Sequence, residues 1–372
     1  MTISKTSRIA ISAVLILCAA LSASHAADQP QWGEKFSRNM ISTEKNLPDT
    51  FDPETGKNIK WVADLGSFTW ATPIIASGRV LLGTNNENPR DERHKGDRGI
   101  LLCLNEADGS FLWQLVIPKL GPDPLLDWPR AGISSPSTVE GDRVYIVTNR
   151  GELVCLDIHG QSNGNDGPYK DEGKLAAPKG EPPVPVAGTD ADIIWRFDIP
   201  NQAGTNPHDA AHASPLIDGD FIYVNTSNGV DSTHRNNKRP DGPSLIVLDK
   251  HTGRLLARDD ENIGRRVFHS TWSSPAMGTV NGRKRIFFGG GDGVMYGFEP
   301  LQAAPRKGKV ALLKRVWRFD GDPTAPKENI HEYKSNREVS PSNIKSMPVF
   351  YKDRIYLTLG GDIWWGKNKA WL

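Results

Sequence analysis

Aromatic, histidine and arginine side chains recur just before a repeated small residue–proline step, and they could contact a bound ligand. They occur in four segments, Ser67–Trp70, Trp128–Arg130, His208–His212 and His269–Trp272. Such side chains offer flat apolar surface, hydrogen bonds and proton acceptors. The candidate ligand contacts are Trp70, Trp128, Arg130, His208, Asp209, His212, His269 and Trp272. The alternative is that these residues cap strand ends and hydrogen-bond neighbouring loops.

Three motifs suggest bound ions, but none has the required pattern. His208 and His212 have a metal-like spacing, yet the loop between Pro207 and Pro215 is too short to present both rings on one helix face. The acidic turn 163–168 has proline where a calcium loop needs its glycine. The glycine-rich run 289–293 is not followed by a helical pattern and is interpreted as a tight turn. The sequence therefore predicts no metal site.

An internal repeat predicts the fold. A small residue and a proline precede a β-rich run five times, and these prolines lie 60 to 79 residues apart. A second element, such as the segment beginning at Ile100, carries a Leu-Asn or Leu-Asp turn, and a third element ends on a tryptophan. The prolines are Pro73, Pro136, Pro215, Pro275 and Pro348, and the tryptophans are Trp61, Trp113, Trp195 and Trp317. The equivalent tryptophan is missing near Ala257.

Each repeat predicts four short antiparallel strands separated by turns. Runs such as 144–147 are apolar on both alternating faces, so both faces of each sheet must be covered. Four-stranded sheets stacked around an axis cover them, and the tryptophans would wedge between neighbouring sheets. The sequence thus predicts an all-β propeller of about four and a half blades, incomplete because the fifth unit lacks its second element. The alternative is a five-bladed ring closed by residues 32–65.

These elements resemble the pyrroloquinoline-quinone-like (PQQ-like) propeller repeat over roughly residues 55–372. The resemblance rests on the Ser-Pro step, the Gly-Asp turn, the Val-Leu-Asp segment and the closing tryptophan. The family includes quinoprotein alcohol dehydrogenases, an outer-membrane assembly lipoprotein and uncharacterised exported proteins of planctomycete type. Segments 163–168 and 208–212 look most like that last group. The resemblance is specific for fold and implies little about activity, because one fold serves catalysts and scaffolds.

The resemblance leaves two functions open. Catalytic members bind PQQ and calcium, and tend to have two adjacent cysteines forming a disulfide beneath the cofactor. This chain has no such pair, and Asp209 is the only weak candidate for a catalytic base. We therefore expect a non-catalytic binding module or scaffold that needs no cofactor. The alternative is a PQQ-dependent alcohol or sugar dehydrogenase, or a fragment of one.

The N-terminus and the composition indicate an exported protein. Lys5 and Arg8 precede an apolar run and a small-x-small site at 24–26, so residues 1–26 are predicted to be a signal peptide. Residues 27–54 would lead into the repeats. With 45 basic and 44 acidic residues, the chain has no electrostatic signature of nucleic-acid binding. We expect a periplasmic, envelope or secreted protein that meets the membrane only through its signal peptide and binds a protein, peptide or glycan. Cys103 and Cys155 are expected to be buried thiols.

Overall fold

The computed structural model describes residues 27–121, 126–209 and 213–372. The predicted signal peptide and His212 lie outside these residues. Four antiparallel sheets follow one another along the chain, and two hairpins complete the array. The first blade contains β1 (Ile74–Ala76), β2 (Arg79–Asn85), β3 (Arg98–Asn105) and β4 (Phe111–Pro118). The second contains β5 (Thr138–Glu140), β6 (Arg143–Val147), β7 (Glu152–Asp157) and β8 (Ile193–Asp198).

The later units follow the same plan with additions. The third blade contains β9 (Leu216–Asp218), β10 (Phe221–Asn225), β11 (Leu245–Asp249) and β12 (Leu255–Arg258). The fourth contains β13 (Ala276–Val280), β14 (Arg283–Gly289), β15 (Val294–Phe298) and β17 (Arg315–Asp320); β16 (Ala311–Leu312) joins the third sheet by pairing with β12 in parallel. The fifth unit has two hairpins, β18 (Val349–Tyr351) with β19 (Arg354–Tyr356) and β20 (Leu359–Gly360) with β21 (Ala370–Trp371).

Helices are short and lie in the connections. They are α1 (Glu172–Ala176) and α2 (Ile199–Ala203), with 3₁₀ turns at Gly160–Asn163, Ile263–Arg266 and Ile330–Tyr333. No helix in the described ranges is long and apolar enough to cross a membrane. The prediction of an incomplete all-β propeller built from four-stranded antiparallel blades is confirmed. The run 289–293 forms a turn between β14 and β15, as predicted.

Apolar layers fill the spaces between consecutive blades. Leu101 and Cys103 pack with Val154 between the first two blades, whereas Cys155 packs with Ile246 between the second and third. Tyr223 and Phe288 belong to the layer between the third and fourth blades. Each sheet therefore buries both faces, which explains the strands that are apolar on both sides. The two cysteines lie in different layers, and both are free and buried, as expected.

The closing tryptophans of the first and second blades each reach the turn of the following blade. The Nε1 of Trp113 donates to the Ile158 carbonyl at 2.9 Å, and that of Trp195 donates to the Lys250 carbonyl at 3.0 Å. A glycine lies under each ring: a Cβ on Gly253 would come within 2.5 Å of Trp195, and Gly253 has a φ of +70°. Only glycine fits such a close approach at positive φ. The indole thus joins two blades by packing and by one hydrogen bond.

The pairing register of the third and fourth strands shows that the closing tryptophans occupy equivalent positions in their blades. In the third and fourth strands of successive blades, Cys103 pairs with Trp113, Cys155 with Trp195, Val247 with Ala257 and Gly297 with Trp317. Ala257 therefore occupies the tryptophan position of the third blade. At that junction the Tyr223 hydroxyl accepts from the Leu301 amide at 2.8 Å, and β16 pairs with β12. Trp61 lies in no strand, but its Nε1 donates to the Glu106 carbonyl of the first blade at 2.9 Å.

The first part of the lead-in segment, residues 29–38, occupies the axis of the array. Backbone hydrogen bonds join Gln29 to Ile75 in β1, Pro30 to Val139 in β5, Phe36 to Met277 in β13 and Ser37 to Phe350 in β18. The first strand of each of these units therefore faces the lead-in segment. Residues 61–65 pack on the first blade, and within the described residues no hydrogen bond joins them to the fifth unit. The sequence analysis assigned residues 27–54 no such central position.

Arg38 contacts the entries of the third and fourth blades. Its side chain is 0% exposed and donates five hydrogen bonds, to oxygens of Trp32, Ser214, Pro215 and Pro275 at 3.0 to 3.3 Å. Among the described residues no carboxylate forms an ion pair with it. Burial lowers the pKa of Arg38 to about 9, which leaves the guanidinium charged at neutral pH. Neutral oxygens alone thus hold this cation on the axis.

The tryptophan junctions can be tested by truncation. Trp113→Ala or Trp195→Ala should lower the free energy of unfolding by about 3–5 kcal/mol, because each removes a large side chain from a packed layer. Urea unfolding followed by circular dichroism measures the loss. Trp70→Ala is the matched control, because Trp70 is 66% exposed and its removal should cost little. A loss below about 1 kcal/mol at both buried sites would contradict the role of these rings as wedges.

Arg38 can be tested in the same assay. Arg38→Ala should destabilise the chain by at least about 3 kcal/mol, because several buried oxygens lose a charged donor together. Arg38→Lys keeps the charge but not the planar arrangement of donors, so we expect an intermediate loss. Lys35→Ala is the control from the same segment, since Lys35 pairs with Glu140 in an exposed ion pair. Equal stabilities of Arg38→Ala and Lys35→Ala would refute the proposed importance of the axial guanidinium.

Candidate functional site

The candidate residues lie in loops that open at one end of the sheets. Each segment singled out from the sequence leads into the first strand of a blade: β1, β5, β9 or β13. The first and second strands of each blade form a hairpin that reverses the direction of the chain. The loop after the second strand therefore opens at the same end as the loop before the first strand. We call this end the rim. It combines the loops before the first strands with the loops after the second strands.

Three of the predicted residues, Trp70, Trp128 and Arg130, form with Phe68 an exposed group that we call the rim shelf. Phe68 and Trp70 stack with a centroid distance of 6.4 Å and an interplanar angle of 6°. The Arg130 guanidinium carbon lies 5.3 Å from the Phe68 centroid. The Arg130 carbonyl accepts from Asn85 Nδ2 at 2.6 Å, which fixes the loop to the first blade. Trp128 is 42% exposed and links this shelf to a buried group.

The buried group is a histidine centre formed by His208, His234 and His269. The ring centroids lie 4.8 to 4.9 Å apart, and the side chains are 0%, 8% and 2% exposed. His208 precedes β9, His234 lies in the loop after β10, and His269 precedes β13. The centre therefore joins loops of the third and fourth blades. His208 Nε2 and His269 Nε2 are 3.0 Å apart.

Two carboxylates contact this centre. Asp209 has Oδ1 at 3.3 Å from His208 Nε2 and Oδ2 at 3.1 Å from His269 Nε2. Its Oδ1 also accepts from Trp128 Nε1 at 2.5 Å. Asp362, fully buried in the fifth unit, lies 2.8 Å from His269 Nδ1 and 3.0 Å from Lys345 Nζ. His269 thus lies between two carboxylates, whereas His208 Nδ1 donates to the Val230 carbonyl at 2.6 Å.

The surroundings separate the pKa values of the two buried histidines. Burial lowers the pKa of His208 to about 4, although Asp209 opposes that shift. For His269 burial also favours the neutral ring, but Asp209 and Asp362 outweigh it and raise the pKa. Burial raises the pKa of Asp209, and contacts with His269, His208 and Trp128 lower it by more. At neutral pH the arrangement therefore favours a neutral His208 beside ionised carboxylates.

Indole rings and Lys345 surround the centre. Trp272 lies 5.0 Å and Trp364 5.7 Å from the His269 ring, and Trp365 lies 5.1 Å from His234. Lys345 Nζ is 4.9 Å from the Trp272 centroid and 5.3 Å from that of Trp364. These rings reduce contact with water, which strengthens electrostatic interactions inside the centre.

The structure brings together five predicted residues: Trp128, His208, Asp209, His269 and Trp272. Trp70 and Arg130 lie instead on the exposed shelf. The sequence analysis missed His234, Lys345 and Asp362. The four loops singled out from the sequence all precede first strands, whereas Lys345 lies in the fifth such loop, before β18, and His234 and Asp362 follow second strands that end at the same rim. Counting both loops of every repeat would have found them.

A second group that could hold an ion contains one histidine and two aspartates. Asp91, His94 and Asp190 are close enough together to share an ion. However, both Asp91 and Asp190 are paired with Arg93. In the acidic turn 163–168, Asn163 Nδ2 donates to Asp166 at 3.0 Å, and Lys170 contacts Asn165. Cationic side chains of the protein itself thus accompany both of these acidic groups.

Comparisons with known proteins agree with the repeat. Residues 38–158 match the PQQ-like family model described as outer membrane protein assembly factor BamB. No curated protein matches the chain. Among solved structures, a quinohemoprotein alcohol dehydrogenase from Comamonas testosteroni is 11% identical with a TM-score of 0.46, covering 90% of this chain and 46% of its own. BamB from Moraxella catarrhalis is 13% identical with a TM-score of 0.35, covering 80% and 72%.

A europium-containing methanol dehydrogenase is 10% identical with a TM-score of 0.41, covering 89% of this chain and 54% of its own. This chain spans less than half the length of the quinohemoprotein alcohol dehydrogenase from Comamonas testosteroni.

Proposed function

The repeats of this chain belong to the PQQ-like propeller superfamily, and from that premise we propose that it is an exported, non-catalytic module that binds a protein partner at its rim. The rim shelf is the observation that carries this proposal. Phe68 is 44% exposed, Trp70 66% and Trp128 42%, and the Arg130 side chain is 54% exposed. Large aromatic rings are normally buried, so a cluster of exposed rings indicates an interaction surface.

The composition of the shelf favours a polypeptide as its ligand. Tryptophan and arginine are the residues that most often dominate the binding energy of protein interfaces. Arg130 pairs with Glu87, and its amide donates to Asp97 at 2.7 Å, so the loop is held in place before a partner binds. A preformed surface loses little conformational entropy on binding. The matching family model is described as an outer membrane assembly factor, which supports a protein partner in the cell envelope.

The shelf can be tested by exchanging its exposed anchor. Trp70→Ala should weaken partner binding by about 2 kcal/mol, or about 30-fold in Kd, as expected for a hot-spot tryptophan. Arg130→Ala should have a similar effect. Partners would be identified by crosslinking in the envelope fraction, and their affinities measured with the purified chain by interferometry.

Tyr351→Ala is the matched control, because Tyr351 is 44% exposed but lies beside the turn between β18 and β19, at the end opposite the rim. A partner retained by wild type and Tyr351→Ala but lost by Trp70→Ala supports the proposal. Equal retention by all variants would place the interaction elsewhere and contradict it.

The dehydrogenase alternative is less well supported by the residues present. Cys103 and Cys155 pack in different layers, so they cannot form a disulfide beneath a quinone. Asp209, the candidate base, already accepts from Trp128 and lies between two histidines. Arg38 uses backbone oxygens at the entries of β9 and β13, where an axial cofactor would need contacts. These residues do not fit a quinone clamped on the axis.

We therefore predict no uptake of PQQ. The purified chain would be incubated with PQQ and calcium, desalted and examined for quinone absorbance and for dye-linked alcohol oxidation. A blank in both assays is the expected result, because the axial contacts are already taken by Arg38. Stoichiometric retention of quinone together with alcohol-dependent dye reduction would replace the binding-module proposal with the enzyme.

A further inference from the structure

We propose that His208, His234, His269 and Asp209 form a binding site for a divalent transition-metal ion of the zinc type. This site adjoins the rim shelf through the hydrogen bond from Trp128 to Asp209, but it does not depend on the function proposed for that shelf. The three histidines offer nitrogen atoms that all lie within 4.8 Å of one another. They come from loops far apart in sequence, so their convergence is a property of the folded rim.

The spacing of the donor atoms suits one ion. Zinc binds imidazole nitrogen at about 2.0–2.1 Å, so two nitrogens of a tetrahedral site lie about 3.3 Å apart. His208 Nε2 and His269 Nε2 are 3.0 Å apart. The Asp209 oxygens lie 3.3 Å and 3.1 Å from these same nitrogens. Three nitrogens and one carboxylate oxygen are a ligand set found in zinc proteins.

The outer nitrogens of two histidines are already engaged. His208 Nδ1 lies 2.6 Å from the Val230 carbonyl, so this nitrogen carries the proton and Nε2 presents its lone pair to the centre. His269 Nδ1 lies 2.8 Å from Asp362. Metal-binding histidines characteristically donate their second N–H to a carbonyl or carboxylate, which fixes the ring orientation. Both arrangements occur here.

Asp209 supplies an independent observation. Its Oδ2 is buried and accepts no hydrogen bond within the described residues, although His269 Nε2 lies 3.1 Å away. Its backbone has a φ of +59°, a conformation that residues other than glycine seldom adopt. Such backbone strain clusters at ligand sites. A coordinated cation would satisfy the oxygen that lacks a hydrogen bond.

The group of one histidine and two aspartates shows why the rim centre is favoured. At Asp91, His94 and Asp190 the Arg93 guanidinium contacts both carboxylates, and its positive charge opposes a cation there. At the rim, Lys345 contacts Asp362 Oδ2 and Lys334 donates to the Thr233 carbonyl, so neither of these lysines is paired with Asp209. The inward atoms of the three histidines and Asp209 are therefore not paired with a lysine or arginine among the described residues.

The donor set also selects the type of metal. Imidazole nitrogen suits Zn²⁺, Cu²⁺, Ni²⁺ and Fe²⁺, whereas Ca²⁺ takes six or more oxygen ligands. One carboxylate among three imidazoles does not provide an oxygen cage. The site thus differs in chemistry from a calcium site. An ion at this position would join the loops of the third and fourth blades and, through Asp362, the fifth unit.

The test is metal uptake by the untagged chain, which is first stripped with EDTA, dialysed and then given Zn²⁺. We expect the wild type to take up and retain about one Zn²⁺ per chain, measured by mass spectrometry of the metal. Co²⁺ should produce the visible absorption bands of a tetrahedral site, and Zn²⁺ should raise the melting temperature because it binds the folded state. Ca²⁺ should do neither. A folded wild-type chain that retains neither Zn²⁺ nor Co²⁺ would overturn the proposal.

Two variants separate binding at the centre from adventitious surface binding. His234→Gln removes the least buried ring, whose Nδ1 lies 3.2 Å from the Ser232 carbonyl, and should weaken Zn²⁺ at least about 100-fold. His251→Gln is the matched control, because that exposed ring lies on the turn between β11 and β12 beside Asp220. It should bind as wild type does. Equal affinities of His234→Gln and His251→Gln would also overturn the proposal.

Asp362→Asn provides a second readout if a histidine variant unfolds. This substitution leaves all proposed ligands in place but removes the carboxylate that orients His269, so Zn²⁺ affinity should fall about 10- to 100-fold. The Co²⁺ spectrum should shift with it, whereas a purely structural role would change only the melting temperature. An unchanged affinity and spectrum in a folded Asp362→Asn chain would contradict the assignment of His269 as a ligand.

Discussion

The side chain of Arg38 lies on the axis around which the blades are arranged. It is fully buried and its charge is solvated by protein oxygens, four of them in the Ser-Pro steps that begin the third and fourth blades. Burial of a cation is costly unless its hydrogen bonds are satisfied, so the surrounding backbone must keep one arrangement. The neighbouring amides and carbonyls of residues 29–37 bond the first strands of the first, second, fourth and fifth units. The repeats alone would not determine how their inner strands meet.

The blades themselves could be predicted because the determinants of each blade are local. Turn residues, apolar strands and a tryptophan recur in each unit, and the structure places Trp113 and Trp195 opposite Cys103 and Cys155 in equivalent registers. The axial position of the lead-in segment could not be predicted. Arg38 lies 176 residues from Ser214 and 237 from Pro275, and nothing in its immediate sequence distinguishes it from a surface arginine. Only the assembled fold removes it from water.

The candidate site was predictable to the extent that it depends on position within the repeat. The loops before the first strands could be identified from the sequence. Because these loops open at the same rim, Trp128, Asp209 and His269 lie together there. His234 and Asp362 follow second strands, and their approach to His269 depends on how neighbouring blades are rotated. Such contacts join residues of different units, so a motif search along the chain does not find them. Within the described residues, which do not include His212, the histidines that meet His208 come from other loops.

The histidine centre spans the one junction between the four complete blades that lacks a tryptophan. The ring of Trp113 joins the first and second blades and that of Trp195 the second and third, but Ala257 stands at the position facing the fourth blade. His208 and His269 contact each other across this junction, and Arg38 bonds both of its entries. Contacts at the rim and on the axis thus hold these two blades together where an indole does not. Because anything that binds the assembled centre stabilises the packed state, ligand binding at the rim and the packing of the third and fourth blades are thermodynamically linked.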